Sequence, residues 1–71
     1  MPHLLAADGA KFSGVIEKIN SHFRAYYEVS LDESAQLEAD LRMFPTEARA
    51  RTWLDAAAFA RGFATYDLST D

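Results

Sequence analysis

The sequence has no cysteine, two histidines and only three glycines among its 71 residues. Without cysteine it can form no disulfide and supplies no thiolate metal ligand, and His3 and His22 alone are too few for an all-protein zinc site. The three glycines form neither of the glycine-rich patterns that bind nucleotide phosphates, and no serine lies in a nucleophile motif. We therefore expect no metal, no cofactor and no enzymatic activity.

The chain is also too short to form a large hydrophobic core. We expect one domain, residues 1–71, and a chain of this length buries only about 60% of the surface that it exposes when unfolded. Disulfides, a metal or self-association usually stabilise such small domains. Because the composition argues against the first two, self-association remains, and we expect a homodimer.

Long hydrophobic runs are missing as well. Residues 1–7 have neither the basic region nor the apolar run of a signal peptide, and no segment is long enough to predict a membrane span. The composition is 49% hydrophobic and 25% charged, with a net charge of −4, which is typical of folded globular proteins. These features predict a cytoplasmic protein that does not bind membranes.

Alternation of apolar and polar residues predicts β-strands in the first half of the chain. Residues 11–19 are rich in β-branched side chains, and Asn20 and Ser21 provide a turn into the clearest strand, residues 22–31. On that strand, one face carries the apolar side chains that follow Phe23 at every second position. The opposite face carries His22, Arg24, Tyr26, Glu28 and Ser30.

Residues 36–44 fit two structures. Leu37, Ala39, Leu41 and Met43 alternate with polar residues as in a strand, yet the segment also consists of strong helix formers. We favour a strand, because it would complete a three-stranded meander with every apolar position on one face. A helix would leave Met43 off its apolar stripe.

A helix is predicted over residues 46–61, with a recognisable signal at each end. Pro45 ends the preceding strand, and Thr46 can cap the first turn. Gly62 can adopt the left-handed conformation that closes a helix, and Phe63 can then fold back onto it. The apolar stripe is Ala50, Trp53, Leu54 and Ala57, and Trp53 is the residue that we most expect to be buried. A last strand over residues 64–68 and a frayed tail, residues 69–71, would follow.

The resulting prediction is an α+β fold of two layers, in which one helix packs on one face of a small antiparallel sheet in the order β-β-β-α-β. One helix covers one sheet face, so the other face must be polar or must meet a partner. The candidate interface is His22, Arg24, Tyr26 and Glu28 on that second face. Arginine and tyrosine are frequent interface anchors.

A second candidate surface is acidic: Asp32, Glu33, Glu38 and Asp40. It lacks the spacing and the turn glycine of a calcium-binding loop. We interpret it as a solvated hairpin that keeps the protein soluble. An alternative function is that of an inhibitor, in which these carboxylates mimic nucleic acid and block a basic site on another protein.

Direct nucleic-acid binding would use the arginines of the helix, Arg49, Arg51 and Arg61. The isoelectric point of about 4.9 argues against it, since such binding needs a basic surface. The alanine- and arginine-rich composition of residues 44–63 is typical of small bacterial proteins and indicates no function. The sequence thus predicts a non-enzymatic interaction module whose partner is a protein, most simply a second copy of itself.

Overall fold

The computed structural model describes residues 10–32 and 35–70, which form four strands and one helix. In chain order these are β1 (Lys11–Ile19), β2 (His22–Asp32), β3 (Ala35–Phe44), α1 (Glu47–Ala60) and β4 (Asp67–Thr70). The strands lie in the order β3-β2-β1-β4 in a single sheet, and α1 packs on one face of it. The predicted two-layer α+β fold is therefore confirmed, as is the strand in the ambiguous segment before Pro45.

The sheet is mixed rather than antiparallel throughout. β1 pairs with β2, and β2 with β3, in antiparallel ladders, but β4 runs parallel to β1. The chain leaves β3, returns along α1 and enters β4 in the same direction as β3, which is also the direction of β1. The last strand lies at Asp67–Thr70, later than the predicted residues 64–68, so that Ser69 and Thr70 belong to it. Asp71 lies outside the described residues.

The ends of α1 have the predicted caps. The side chain of Thr46 accepts a hydrogen bond from the backbone N–H of Arg49 at 3.2 Å. At the other end, the N–H of Gly62 donates to the carbonyl of Phe59, and the N–H of Phe63 donates to that of Ala58. This is the Schellman arrangement, and it needs the positive φ of 89° that Gly62 adopts.

The core lies between α1 and the two central strands. Leu54 and Ala50 are fully buried against Ile16 and Ala25. Gly14 lets the helix approach the sheet, because a Cβ added there would lie 3.3 Å from Cδ1 of Leu54.

Trp53, the residue most expected to be buried, is only partly buried. It lies beside the buried positions of the helix, and its ring centroid is 5.3 Å from that of Tyr27 and 5.6 Å from that of Phe44. The fully buried positions of α1 are instead Ala50, Leu54 and Ala58.

The orientation of β3 was predicted wrongly. Its register pairs Tyr27 with Asp40 and Tyr26 with Leu41. Residues that pair directly across strands share a face, so Glu38, Asp40 and Arg42 lie on the side of α1. Phe44, at the end of the strand, lies on that side too, whereas Ala39, Leu41 and Met43 lie on the opposite side. Alternation shows which residues of a strand share a face, but only the register decides which face it is.

Candidate protein interaction surface

The sheet face opposite α1, called the open face below, has an apolar row at its centre. Val15 of β1 pairs with Tyr26 of β2, and Tyr26 pairs with Leu41 of β3. These three side chains, the central row, therefore lie side by side across three strands. In the described part of the chain, no helix or strand packs on this face.

Two rows flank the central row, and they differ in charge and size. The first contains Glu17, Arg24 and Met43, and the guanidinium of Arg24 forms an ion pair with the carboxylate of Glu17. Both side chains are more than one-third exposed, so the pair adds little to the stability of the monomer.

The second flanking row contains Ser13, Glu28 and Ala39. It lies on the other side of the central row, toward the start of β1. Asp67 of β4 pairs with Ser13, so the row contains two carboxylates, those of Glu28 and Asp67. One row thus ends on a long apolar side chain, Met43, and the other on a short one, Ala39.

Large apolar side chains are exposed along the open face. Leu41 is 48% exposed, Met43 46% and Ile19 36%. A shallow depression of about 380 Å³ lies between the central row and the ion pair of Glu17 and Arg24. Scattered exposed apolar residues are normal on a protein surface, but a contiguous group of them marks an interaction site.

All four residues of the predicted interface, His22, Arg24, Tyr26 and Glu28, lie on the open face. His22 is exposed at the start of β2, opposite Ile19, with its Nδ1 3.4 Å from Oγ of Ser21. Sequence reasoning missed the apolar residues contributed by β3, because it placed them under the helix. The strict alternation of β3 was the available signal, but it does not indicate a face.

In the described part of the predicted acidic surface, Glu38 lies on the face of the sheet that α1 covers, and its carboxylate is already bound by Arg61. Arg61, the C-cap of α1, donates through Nε to Oε1 of Glu38 at 2.8 Å and through Nη2 to the other carboxylate oxygen. Asp40 lies on the same side of β3 as Glu38. Glu33 and the side chain of Asp32 lie outside the described residues.

The same guanidinium connects α1 to the core. Nη2 of Arg61 donates to the hydroxyl of Tyr27 at 3.0 Å, and Nη1 donates to the carbonyl of Ala57 at 2.7 Å. The hydrogen bond to Glu38 raises the pKa of Arg61. Burial raises the pKa of Tyr27, although the positive charge of Arg61 opposes this. These hydrogen bonds join the helix to the sheet. Arg61, one of the three helix arginines, therefore has a structural role.

A further polar contact lies at the other side of the helix. The hydroxyl of Tyr66 donates to the Asp55 carboxylate at 2.5 Å. Burial, together with this hydrogen bond, raises the pKa of Tyr66 to about 12. Within residues 10–32 and 35–70, no group of three or more histidine, aspartate or glutamate side chains is arranged to hold a metal ion.

Comparison with known proteins gives no relative: the chain matches no protein-family model, no curated protein and no solved structure. Among the described residues, no helix is long and apolar enough to cross a membrane. A functional proposal must therefore rest on the surface itself.

Proposed function

We propose that this protein is a non-enzymatic interaction module of the cytoplasm that forms a homodimer through the open face of its sheet. One observation carries the proposal: β3 directs the apolar side chains of Leu41 and Met43 away from the helix and leaves them exposed. In a monomer these side chains would stay in contact with water.

Burial of this face would release a useful amount of free energy. A fully buried leucine or methionine side chain contributes about 1.5–3 kcal/mol relative to an exposed one. In a symmetric dimer, every such residue is buried twice. Leu41 and Met43 are each about half exposed, so burying them in a dimer would gain much of this free energy.

The size of the face fits a small dimer. The three long strands contain nine, eleven and ten residues, which corresponds to roughly 30–36 Å in length at about 3.3 Å per residue. With about 4.8 Å between strands, the face measures roughly 500 Å² in projection. Specific interfaces at the small end bury about 600 Å² per partner. We expect a dissociation constant on the order of micromolar.

Face-to-face packing explains more than pairing of strand edges does. In the described part of the chain, β3 is hydrogen-bonded to a strand on one side only, so two copies could also join through this edge. Such a dimer would extend the sheet and leave the apolar residues of both open faces exposed. Only packing of the two faces removes them from water.

Sedimentation equilibrium of the full chain tests the proposal. The native protein is expected to shift from the 7.9 kDa monomer to the dimer as its concentration rises. Leu41→Lys is expected to weaken the dimer by roughly 100-fold or more, because a charge replaces a leucine buried in both copies.

Phe59→Lys is the matched control. Phe59 is 78% exposed but lies on α1, away from the open face, so its replacement should leave the dimer unchanged. Circular dichroism checks that both variants fold. The proposal would be contradicted if the native protein stayed monomeric at protein concentrations up to about 100 times a micromolar dissociation constant. It would also be contradicted if the two variants had equal effects on dimer formation.

A further inference from the structure

The two rows that flank the central row differ in a way that favours one arrangement of two copies. Arg24 and Glu28 lie on either side of Tyr26 on the same strand, two residues away in each direction. Met43 and Ala39 lie at the corresponding positions on β3, on either side of Leu41. On β2 and β3, the open face therefore has opposite charges and complementary sizes on the two sides of its central row.

A symmetric face-to-face dimer can place its two-fold axis along the strands or across them. An axis along β2 would put each Arg24 against the Arg24 of the second copy and each Glu28 against the other Glu28. Like charges brought together in an interface oppose association. This axis would also place Met43 over Glu17, burying an apolar side chain against a carboxylate.

An axis across the strands has the opposite result. If it follows the central row, Tyr26 and Leu41 each meet their own counterpart, and the two flanking rows exchange places. Arg24 then faces Glu28 of the second copy, and Met43 faces Ala39. Because the operation is two-fold, each of these contacts occurs twice.

We infer that the partner of the open face is a second copy of this chain, related by a two-fold axis that follows Val15, Tyr26 and Leu41, so that the β2 strands of the two copies run antiparallel across the interface. The inference rests on the proposed self-association and adds its geometry. The two sheets would lie about 10 Å apart and cross at about −30°, as aligned sheets do.

Charge reversal tests the contact between Arg24 and Glu28. Glu28→Arg would bring two arginines together at each contact and is expected to weaken the dimer by about 10-fold or more. Arg24→Glu would do the same with two glutamates. An equimolar mixture of the two variants is expected to form heterodimers of near-native affinity. Glu47→Arg, which makes the same charge change at the start of α1, should leave the affinity unchanged.

Distances between spin labels test the direction of the axis. The chain contains no cysteine, so Ser13→Cys and Ile19→Cys each provide a single labelling site on β1. With the axis across the strands, the label pair at residue 19 lies about 10 Å farther apart than the pair at residue 13, because residue 19 is farther from the central row. With the axis along the strands, the two distances are equal.

The outcomes separate the two proposals. If the native protein is monomeric and no distance between copies is measured, the proposed self-association and the axis both fail. If dimers form and the two distances are equal, the axis is wrong, whatever the charge variants do, while self-association stands. The expected difference in distance, together with weakening by Glu28→Arg and recovery in the mixture, supports the inferred axis.

Discussion

The two faces of the sheet differ in what covers them. On the covered face, Leu54 of α1 is fully buried, and Ile16 of β1 lies almost completely out of contact with water. On the open face, Leu41 and Met43 remain about half exposed although they are just as apolar. The difference shows that hydrophobicity alone does not decide burial in a small domain. The helix is a single element, and it packs on only one face of the sheet.

Strand β3 shows this difference within one element. It lies at the edge of the sheet, where Glu38, Asp40 and Arg42 face α1 and Leu41 and Met43 face away. At the edge, side chains on the covered side still reach water, so charged groups such as Glu38 and Asp40 stay exposed there. They also meet partners on the helix: Arg61 binds Glu38, and the guanidinium of Arg42 lies 5.7 Å from the ring centre of Trp53. The covered side of this edge is therefore held by polar contacts as well as by the ring contact between Phe44 and Trp53.

Replacing a leucine by alanine on each of the two faces should give the largest difference in the free energy of unfolding. Leu54→Ala is expected to lower the free energy of unfolding by about 2–5 kcal/mol, because it leaves a cavity in the core. Leu41→Ala should cost the monomer about 1 kcal/mol or less. Urea denaturation at low protein concentration measures both. Equal losses would show that the open face is packed within the monomer, contrary to the structure.

Loss of the contacts of Arg61 should have a smaller effect. Arg61→Ala removes hydrogen bonds to Glu38, Tyr27 and the carbonyl of Ala57, and we expect a loss of about 1 kcal/mol. Arg49→Ala, an exposed arginine of the same helix, is the control and should change stability by no more than about 0.5 kcal/mol. A double-mutant cycle with Glu38→Ala should give a positive coupling. Additive effects would mean that the pair contributes nothing on the covered face.

The smallest expected effect is on the stability of the fold at alkaline pH. The pKa of Tyr66 is raised to about 12 in the folded protein, whereas an unperturbed tyrosine has a pKa of about 10. The folded state therefore holds this proton more tightly, and the resulting stability is complete below pH 10 or so and lost as the pH rises through about 12. Tyr66→Phe should lose less stability over this range in urea titrations at increasing pH. An unchanged pH dependence would remove Tyr66 as the cause.

The sequence by itself determined the elements whose signals are local. Thr46 and Gly62 mark the ends of α1, since capping depends on hydrogen bonds and backbone angles within a few residues. Alternation and turn residues likewise placed the first three strands. The positions of Arg24 and Tyr26 on the uncovered side of β2 followed from the same pattern.

Only the tertiary structure decided the features that depend on pairing between distant segments. The register between β2 and β3 placed Leu41 and Met43 on the open face, and a shift of one residue would have put them under the helix. The return of the chain along α1 set the parallel pairing of β4 and the partial burial of Trp53. The candidate interface therefore combines residues of β2 that the sequence pattern identified with residues of β1 and β3 that only the assembled sheet brought to them.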